Sequence, residues 1–557
     1  MTGLEESFKN FRSGDESGLI GIARENRSET ISEDSLSHTS APLTLALAYQ
    51  WYISCRGCHK RCNRMSGRPR WYPKRLLDIG VQGDTEWKLI DTSSCSPASP
   101  SYMTLSYRWG SLPALKLTRS TAQAFHCGMP FLNLPQVYKD TVKVAHWFSV
   151  RYLWIDSLCI FQDSYEDWEK ESSVMQDIYA NSACNIAATA SMNPEGGLFR
   201  RRRLEDVQPR YLRATLICSD EENYCIFDAS YWDRQVATSP LHRRGWVFQE
   251  CLLAPRVLHF GEDQILWECS MDRKCEAFPR GVPLLRSLRN SGMFSRSVDL
   301  DLQTTSSLSR HAFEFWNKII ESYSLCELTK PSDKLVALSG LAHLFQAATG
   351  QEYVAGVWKY RLQEFLDWRV YKPRAKVSTY CAPSWSWASI GGPVQPCGIT
   401  NGSIYLLSVL DVNVSHSMID PLGRVLSGSI VVKGLVIEIS YHTSDHEGSL
   451  RRIEADGKSF LAHIYGDTLN THFEDETRVY CLALKCYPVH KGNFFHDLAL
   501  MGLLLHRESQ TASEFSRIGH FHLMGTDSIE KFGIRISREK GSPPGYSTVD
   551  SSVIKII

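Results

Sequence analysis

The stretch "RYLWIDSLCIFQDSYEDWEKESSVMQDIYANSACNIAATA" (Arg151–Ala190) passes from an apolar strand pattern to a helical one and back. "RYLWID" is a short buried-strand pattern ending on Asp156, and "CNIAATA" (Cys184–Ala190) is a second one. Between them Trp168, Met175, Ile178 and Tyr179 fall on one face of a helix. Upstream, Met103–Ser106 reads as a strand, and Pro135 opens a helix whose Val137, Thr141, Val144 and Phe148 keep helical spacing. Strand, helix, strand, helix, strand predicts an α/β fold: a parallel sheet with helices on both faces and right-handed connections. Ligands of such sheets bind outside the carboxyl ends of the strands, which predicts Ser106–Trp109 and Asp156–Cys159 on one rim.

The rest of the chain is organised around this unit. Its 557 residues exceed one compact core. Residues 1–42 are polar and without periodicity, predicting a mobile tail; 43–99 form a flanking segment and 100–270 the α/β domain. Residues 271–400 read as a helical extension, and 401–557, with alternating stretches such as "GSIVVKGLVIEIS", as a β-rich domain. Lys plus Arg and Asp plus Glu are 61 each, so no net field favours nucleic acid or a membrane surface. The amino terminus lacks an apolar signal segment, and the apolar run Leu498–Leu505 is too short to span a bilayer. A cytoplasmic protein with no membrane span is expected, and its 17 cysteines are expected to be reduced thiols. Cys55, Cys58 and Cys62 around His59 look like half a zinc site, but no second half follows at a standard distance; ordinary structural or surface cysteines are the favoured reading, no metal is assigned, and zinc is the alternative.

No phosphate loop, dinucleotide glycine turn, zincin motif or hydrolase elbow occurs. Three clusters remain: "YMTLSYRWGS", "YLWIDSLCIFQDSYEDWEKE" and "PLHRRGWVFQECLLAPRVLHF". Each ends an apolar segment with aromatic and ionisable residues, the pattern of a site positioned by a scaffold. Structural readings stand beside this one. Trp109, Trp154 and Trp246 fit core anchors, Asp156 a turn cap, Glu250 an ion pair with Arg243 or Arg244, and Arg200–Arg203 a solvated loop. A nucleophilic Cys159 with His242 or His259 as base is a further reading.

In this order the clusters resemble the HET domain, the heterokaryon-incompatibility module of filamentous fungi, strongly over residues 75–270 and loosely to about 390 through "SDKLVALSGLA" and "APSWSWAS". The resemblance implies a regulator of non-self recognition whose activation by an incompatible partner protein triggers cell death. It also implies a remote kinship to TIR domains, which have a flavodoxin-like sheet, self-associate and in some cases cleave NAD at the nicotinamide–ribose bond. The TIR glutamate lies four residues after a tryptophan, a spacing found in Trp246–Glu250, and TIR first strands commonly end in Ser-Tyr, as Ser106-Tyr107 does. On that kinship Glu250 is the catalytic residue and Asp156 shapes the adjoining loop. Tyr107, Trp109 and Trp246 stack on the substrate, Arg108 meets the pyrophosphate, Ser106 joins the pocket, and NAD is a substrate with no cofactor required. The alternative function is a non-enzymatic module that self-assembles and recruits cell-death partners.

Overall fold

The computed structural model describes residues 20–24, 37–63, 71–94, 101–110, 115–203, 205, 207, 210–214, 222–228, 230–282, 310–398, 402–417, 419–442, 449–469, 479–491, 494–508, 513–537, 545–548 and 550–557. Most of the tail expected to be mobile lies outside the described residues; within it, Ile20–Arg24 is a strand paired with Glu222–Asp228, which also pairs with Arg210–Ala214. The chain forms two compact units, Met1–Asp299 and Leu300–Ile557.

After the strand Ile20–Arg24, the first unit continues with helix α1 (Pro42–Cys58), followed by strands β1 (Arg75–Asp78), β2 (Glu86–Asp91), β3 (Tyr102–Ser106) and β4 (Met129–Pro130). Helix α2 (Gln136–Trp147) starts after Pro135 and buries Val137, Thr141 and Val144, as its period predicts. Then come β5 (Tyr152–Trp154), the short α3 (Asp156–Cys159), α4 (Tyr165–Ser173), α5 (Met175–Ala180) and β6 (Asn185–Ala187). The unit closes with α6 (Gly245–Leu253), β7 (Arg256–Phe260), β8 (Ile265–Cys269) and β9 (Arg273–Cys275). The helix expected across 166–180 is broken at Val174. Just before the break, the Ser172 and Ser173 hydroxyls bond back to the carbonyls of Glu169 and Lys170, competing with the helical ladder.

The strands form one sheet in the order β9-β8-β7-β6-β3-β5-β1-β2-β4. Its centre is parallel, with β3 between β5 and β6 and β7 beyond β6. Its flanks are antiparallel, so the sheet is mixed rather than the purely parallel one expected. The cause is connection length: β7 joins β8, and β1 joins β2, through links too short for the crossover that parallel neighbours need. Arg75 of β1, buried, ties this sheet to helices α3 and α4, which follow β5. It donates to the Cys159 carbonyl at 2.6 Å and to Asp167 at 2.5 Å, and lies 3.3 Å from Glu171. The arginine run 200–203 is not a purely solvated loop: the Arg202 side chain is 1% exposed and forks onto both Glu276 oxygens.

Gly110, which ends the "LSYRWG" segment, has φ +68°, and a Cβ there would lie 2.8 Å from Asn193 Cβ. Gly110→Ala is therefore expected to lower the stability of this unit by about 2 kcal/mol, read as an earlier urea midpoint. An unchanged midpoint would show that the turn has room to relax.

The second unit carries helices Arg310–Ser324 and Val336–Thr349 and a sheet that includes the long hairpin Val479–Lys491 and Phe494–Arg507. The apolar run Leu498–Leu505 is an inner strand of that sheet, flanked on both sides, which explains its composition without a membrane. Among the described residues, no helix is long and apolar enough to cross a membrane. A buried charge cluster joins the strand Trp368–Val370 region to the sheet: Asp367 lies 2.5 Å from Lys485 and 3.0 Å from His520. Beside it Arg517 pairs with Asp467 and stacks 3.2 Å over the ring of Trp368.

Candidate functional site

A polar network runs from within the parallel strands to the C-terminal end of β3. It starts inside the sheet, where Thr104 of β3 donates to Asn185 Oδ1 of β6 at 3.0 Å. The Asn185 amide donates to Ser106 Oγ at 2.9 Å, and the Ser106 hydroxyl donates to Glu250 Oε2 at 2.5 Å. All four side chains are buried, Glu250 to 5% exposure. Helix α6 presents Glu250 on the face that also buries Val247, Cys251 and Leu253. A carboxyl on such a face costs several kcal/mol unless it is hydrogen-bonded or neutral. Burial pushes Glu250 up to about 7, against the opposing pull of the Arg244 charge and the Ser106 hydrogen bond; the negative Asp156 pushes the same way as burial, and Tyr179 also bonds the carboxyl.

Asp156, the first residue of α3, forms the second half of the cluster. Its Oδ2 accepts from Trp109 Nε1 at 2.8 Å and its Oδ1 from the Ser157 amide at 2.7 Å. Asp156 is the first residue of α3 and not its cap, which is Ile155 and makes no side-chain cap hydrogen bond, so its side chain serves the adjacent amide and the tryptophan instead. Burial raises Asp156 as well, with Arg244 and Trp109 opposing. Tyr107 packs edge-on against Tyr138 at 5.1 Å, and the Tyr138 hydroxyl meets Ser157 at 2.9 Å. Burial of Tyr107 holds its hydroxyl well above the usual phenol range.

Arg244 stands between the two carboxyls in its effect, while its guanidinium donates to the Tyr107 carbonyl. Of the two arginines considered for Glu250, Arg243 is exposed and Arg244 is the one that acts on it. Arg244→Gln is expected to raise the Glu250 titration by about one pH unit, measured by carboxyl NMR. A fall, or no change, would mean that Arg244 is not part of this electrostatic set.

The sequence-predicted residues therefore divide. Ser106, Tyr107, Trp109, Asp156 and Glu250 belong to one connected cluster. Arg108 lies next to it with its guanidinium donating to the Pro240 carbonyl at 3.0 Å. Trp246 is half-buried and packs edge-on against Trp168 at 6.3 Å, outside the hydrogen-bonded set. Trp154 is a core residue. Cys159 is fully buried and its thiol is pushed up to about 12, which leaves no thiolate for the nucleophile reading. Thr104, Asn185, Tyr179 and Arg244 were not singled out as a set, although an asparagine within the apolar "CNIAATA" was a local sign. A cavity of about 320 Å³ lined by Asp78, Asp84, Glu86, Lys88 and Arg151 involves none of the cluster residues.

Residues 102–250 match the family model described as "Heterokaryon incompatibility protein (HET)". The match runs from the first residue of β3 to Glu250. No curated protein and no solved structure matches the chain.

Proposed function

We propose, from the premise that this chain carries a heterokaryon incompatibility (HET) domain over residues 102–250, that the domain is the effector of an incompatibility response and that the Ser106–Glu250–Asp156 cluster is its reaction centre. The observation that carries the reading is the convergence of two carboxyls with raised pKa, Glu250 buried and Asp156 half-buried, with one arginine and two strand ends at one place. Perturbed carboxyls of this kind gather at functional sites. The parallel strands, numbered along the chain, stand side by side in the order 2-1-3-4, which supports a flavodoxin-like, TIR-related fold. In that fold ligands bind at the carboxyl ends of the first and third strands, and here the first of these strands ends on Ser106.

The reaction proposed is cleavage of NAD. The bond between ribose C1′ and the nicotinamide nitrogen breaks, its electron pair leaving with neutral nicotinamide. Ionised Glu250 accepts hydrogen bonds from the ribose hydroxyls and offsets the positive charge that grows on C1′, and a water oxygen then bonds to C1′ and releases its proton. Trp109, half-buried at the rim, supplies stacking surface, and the buried Tyr107 packs behind it against Tyr138. Because Glu250 is buried, the reading includes an opening step on self-association. The deprotonated carboxylate is the working form, so activity rises with pH through about 7.

The test is nicotinamide release by the purified, self-associated chain between pH 5 and 9. A rising limb centred near 7 is expected; no release at any pH removes the catalytic reading. In that event the assembly reading takes its place, favoured by the exposed Tyr165 beside the half-buried pair Trp168 and Trp246, an aromatic face suited to a partner or a second copy.

A further inference from the structure

The half-site read around His59 acquires its missing ligand from the other end of the first unit. Cys55 lies in the last turn of α1, His59 caps that helix, and Cys62 follows in the next turn. Cys269, the last residue of β8, comes to the same point. One ligand atom from each of Cys55, His59, Cys62 and Cys269 lies within 4.8 Å of all the others. His59 Nδ1 stands 3.9 Å from Cys62 Sγ and 3.5 Å from Cys269 Sγ. A tetrahedral zinc ion with bonds of about 2.3 Å to sulfur and about 2.0 Å to nitrogen has sulfur–nitrogen edges of about 3.5 Å.

We propose that Cys55, His59, Cys62 and Cys269 bind a structural zinc ion. The ligand set is Cys₃His, closed by four protein atoms with three of the residues buried, which is the pattern of a structural rather than a catalytic site. The surroundings fit the charge. Zinc with three thiolates carries one net negative charge, and the buried Arg256 donates from Nε to Cys55 Sγ at 3.2 Å. The Asp272 amide donates to Cys269 Sγ at 3.3 Å. The second histidine nitrogen, Nε2, lies 3.4 Å from Asp272 Oδ2, the carboxylate support that orients metal-bound imidazoles. Cys58, the partner that a Cys-x2-Cys reading assigns to Cys55, is exposed and outside the cluster.

The ion would fasten α1 to the β7–β8 hairpin. These two segments flank the family-matched residues 102–250 on either side, so the site closes the domain across its own ends. A second cluster of ligand types, Asp367, Cys397 and His520, has its carboxylate already paired with Lys485 and serves as a control.

The experiment is metal analysis of the full chain purified from zinc-supplemented culture without chelator. One zinc per chain is expected, lost in Cys269→Ser and Cys62→Ser and kept in Cys58→Ser and Cys397→Ser. Absence of zinc in the parent chain, its retention in Cys269→Ser, or a disulfide among Cys55, Cys62 and Cys269 in non-reducing peptide maps would overturn the proposal. Should the serine variants fail to fold, the parent chain exchanged with cobalt is expected to show the intense visible bands of tetrahedral thiolate coordination. His59→Cys is expected to keep the metal with those bands shifted, and cobalt spectra without thiolate bands would sink the assignment. Stripping the metal with a strong chelator is expected to lower one thermal transition by roughly 5–10 °C.

Discussion

Glu250→Gln is expected to lower nicotinamide release by about 100-fold or more while making the folded chain more stable at pH 8. On the proposed reading, the loss of activity follows from removing the carboxylate assigned to balance charge on C1′; deletion of a single preorganised electrostatic group of this kind typically costs two to three powers of ten. The gain in stability follows from burial. Glu250 is held at about 7 in the fold against 4.5 as its ordinary value. Between those two pH values the unfolded chain has released a proton that the folded chain keeps, so stability falls as pH rises across this window and levels off above 7. The difference corresponds to about 3 kcal/mol. Glutamine keeps the shape and carries no charge, so the variant should melt later than the parent at pH 8 and about equally at pH 4. Calorimetry at the two pH values reads the stability arm, and nicotinamide release reads the catalytic arm. A variant that is equally active overturns the role of Glu250; one that is inactive but also less stable at pH 8 indicates a structural carboxylate.

Asp367→Ala in the second unit is expected to cost about 3–5 kcal/mol, enough to abolish a separate folding transition of that unit in mild denaturant. Burial alone would raise this carboxyl, but the His520 hydrogen bond and the Lys485 charge outweigh it and hold it down at about 2. Removing the carboxylate leaves the Lys485 ammonium, with a side chain 0% exposed, without its counter-charge. The double variant Asp367→Leu with Lys485→Met removes both charges and is expected to recover most of the loss, since apolar replacement of a buried pair is often neutral. The depressed carboxyl also sets a pH window. Its contribution is present above the unfolded value near 3.9 and is lost as pH falls toward 2. Urea unfolding of the single and double variants, followed at pH 7 and pH 3, separates these expectations; a single variant as stable as the parent would show that Lys485 finds another partner.

The elements of the first unit were legible because period is a local property. Val137, Thr141 and Val144 recur at helical spacing and are buried on one face of α2, and "YMTLS" and "NIA" are apolar runs that became β3 and β6. The break at Val174 was not legible, because it turns on where two serine hydroxyls bond rather than on hydrophobic pattern. The antiparallel flanks were missed for a related reason: β1 and β8 look like any buried strand, and direction depends on the length and path of the link.

By itself the sequence determined that a strand–helix core spans the "LSYRWG" segment and Glu250, that its motif blocks match the HET family model over residues 102–250, and that ionisable and aromatic residues collect at strand ends. Only the tertiary structure decided which of those residues meet. Ser106 reaches Glu250 across 144 positions, Asn185 bonds Ser106 from the neighbouring strand β6, and Cys269 joins Cys55, His59 and Cys62 from the far hairpin. Lys485 finds Asp367 in the same way. Periodicity is written in neighbours along the chain, whereas these partners are selected by burial: a charge, thiol or amide removed from water must be satisfied by whatever the packed strands bring beside it.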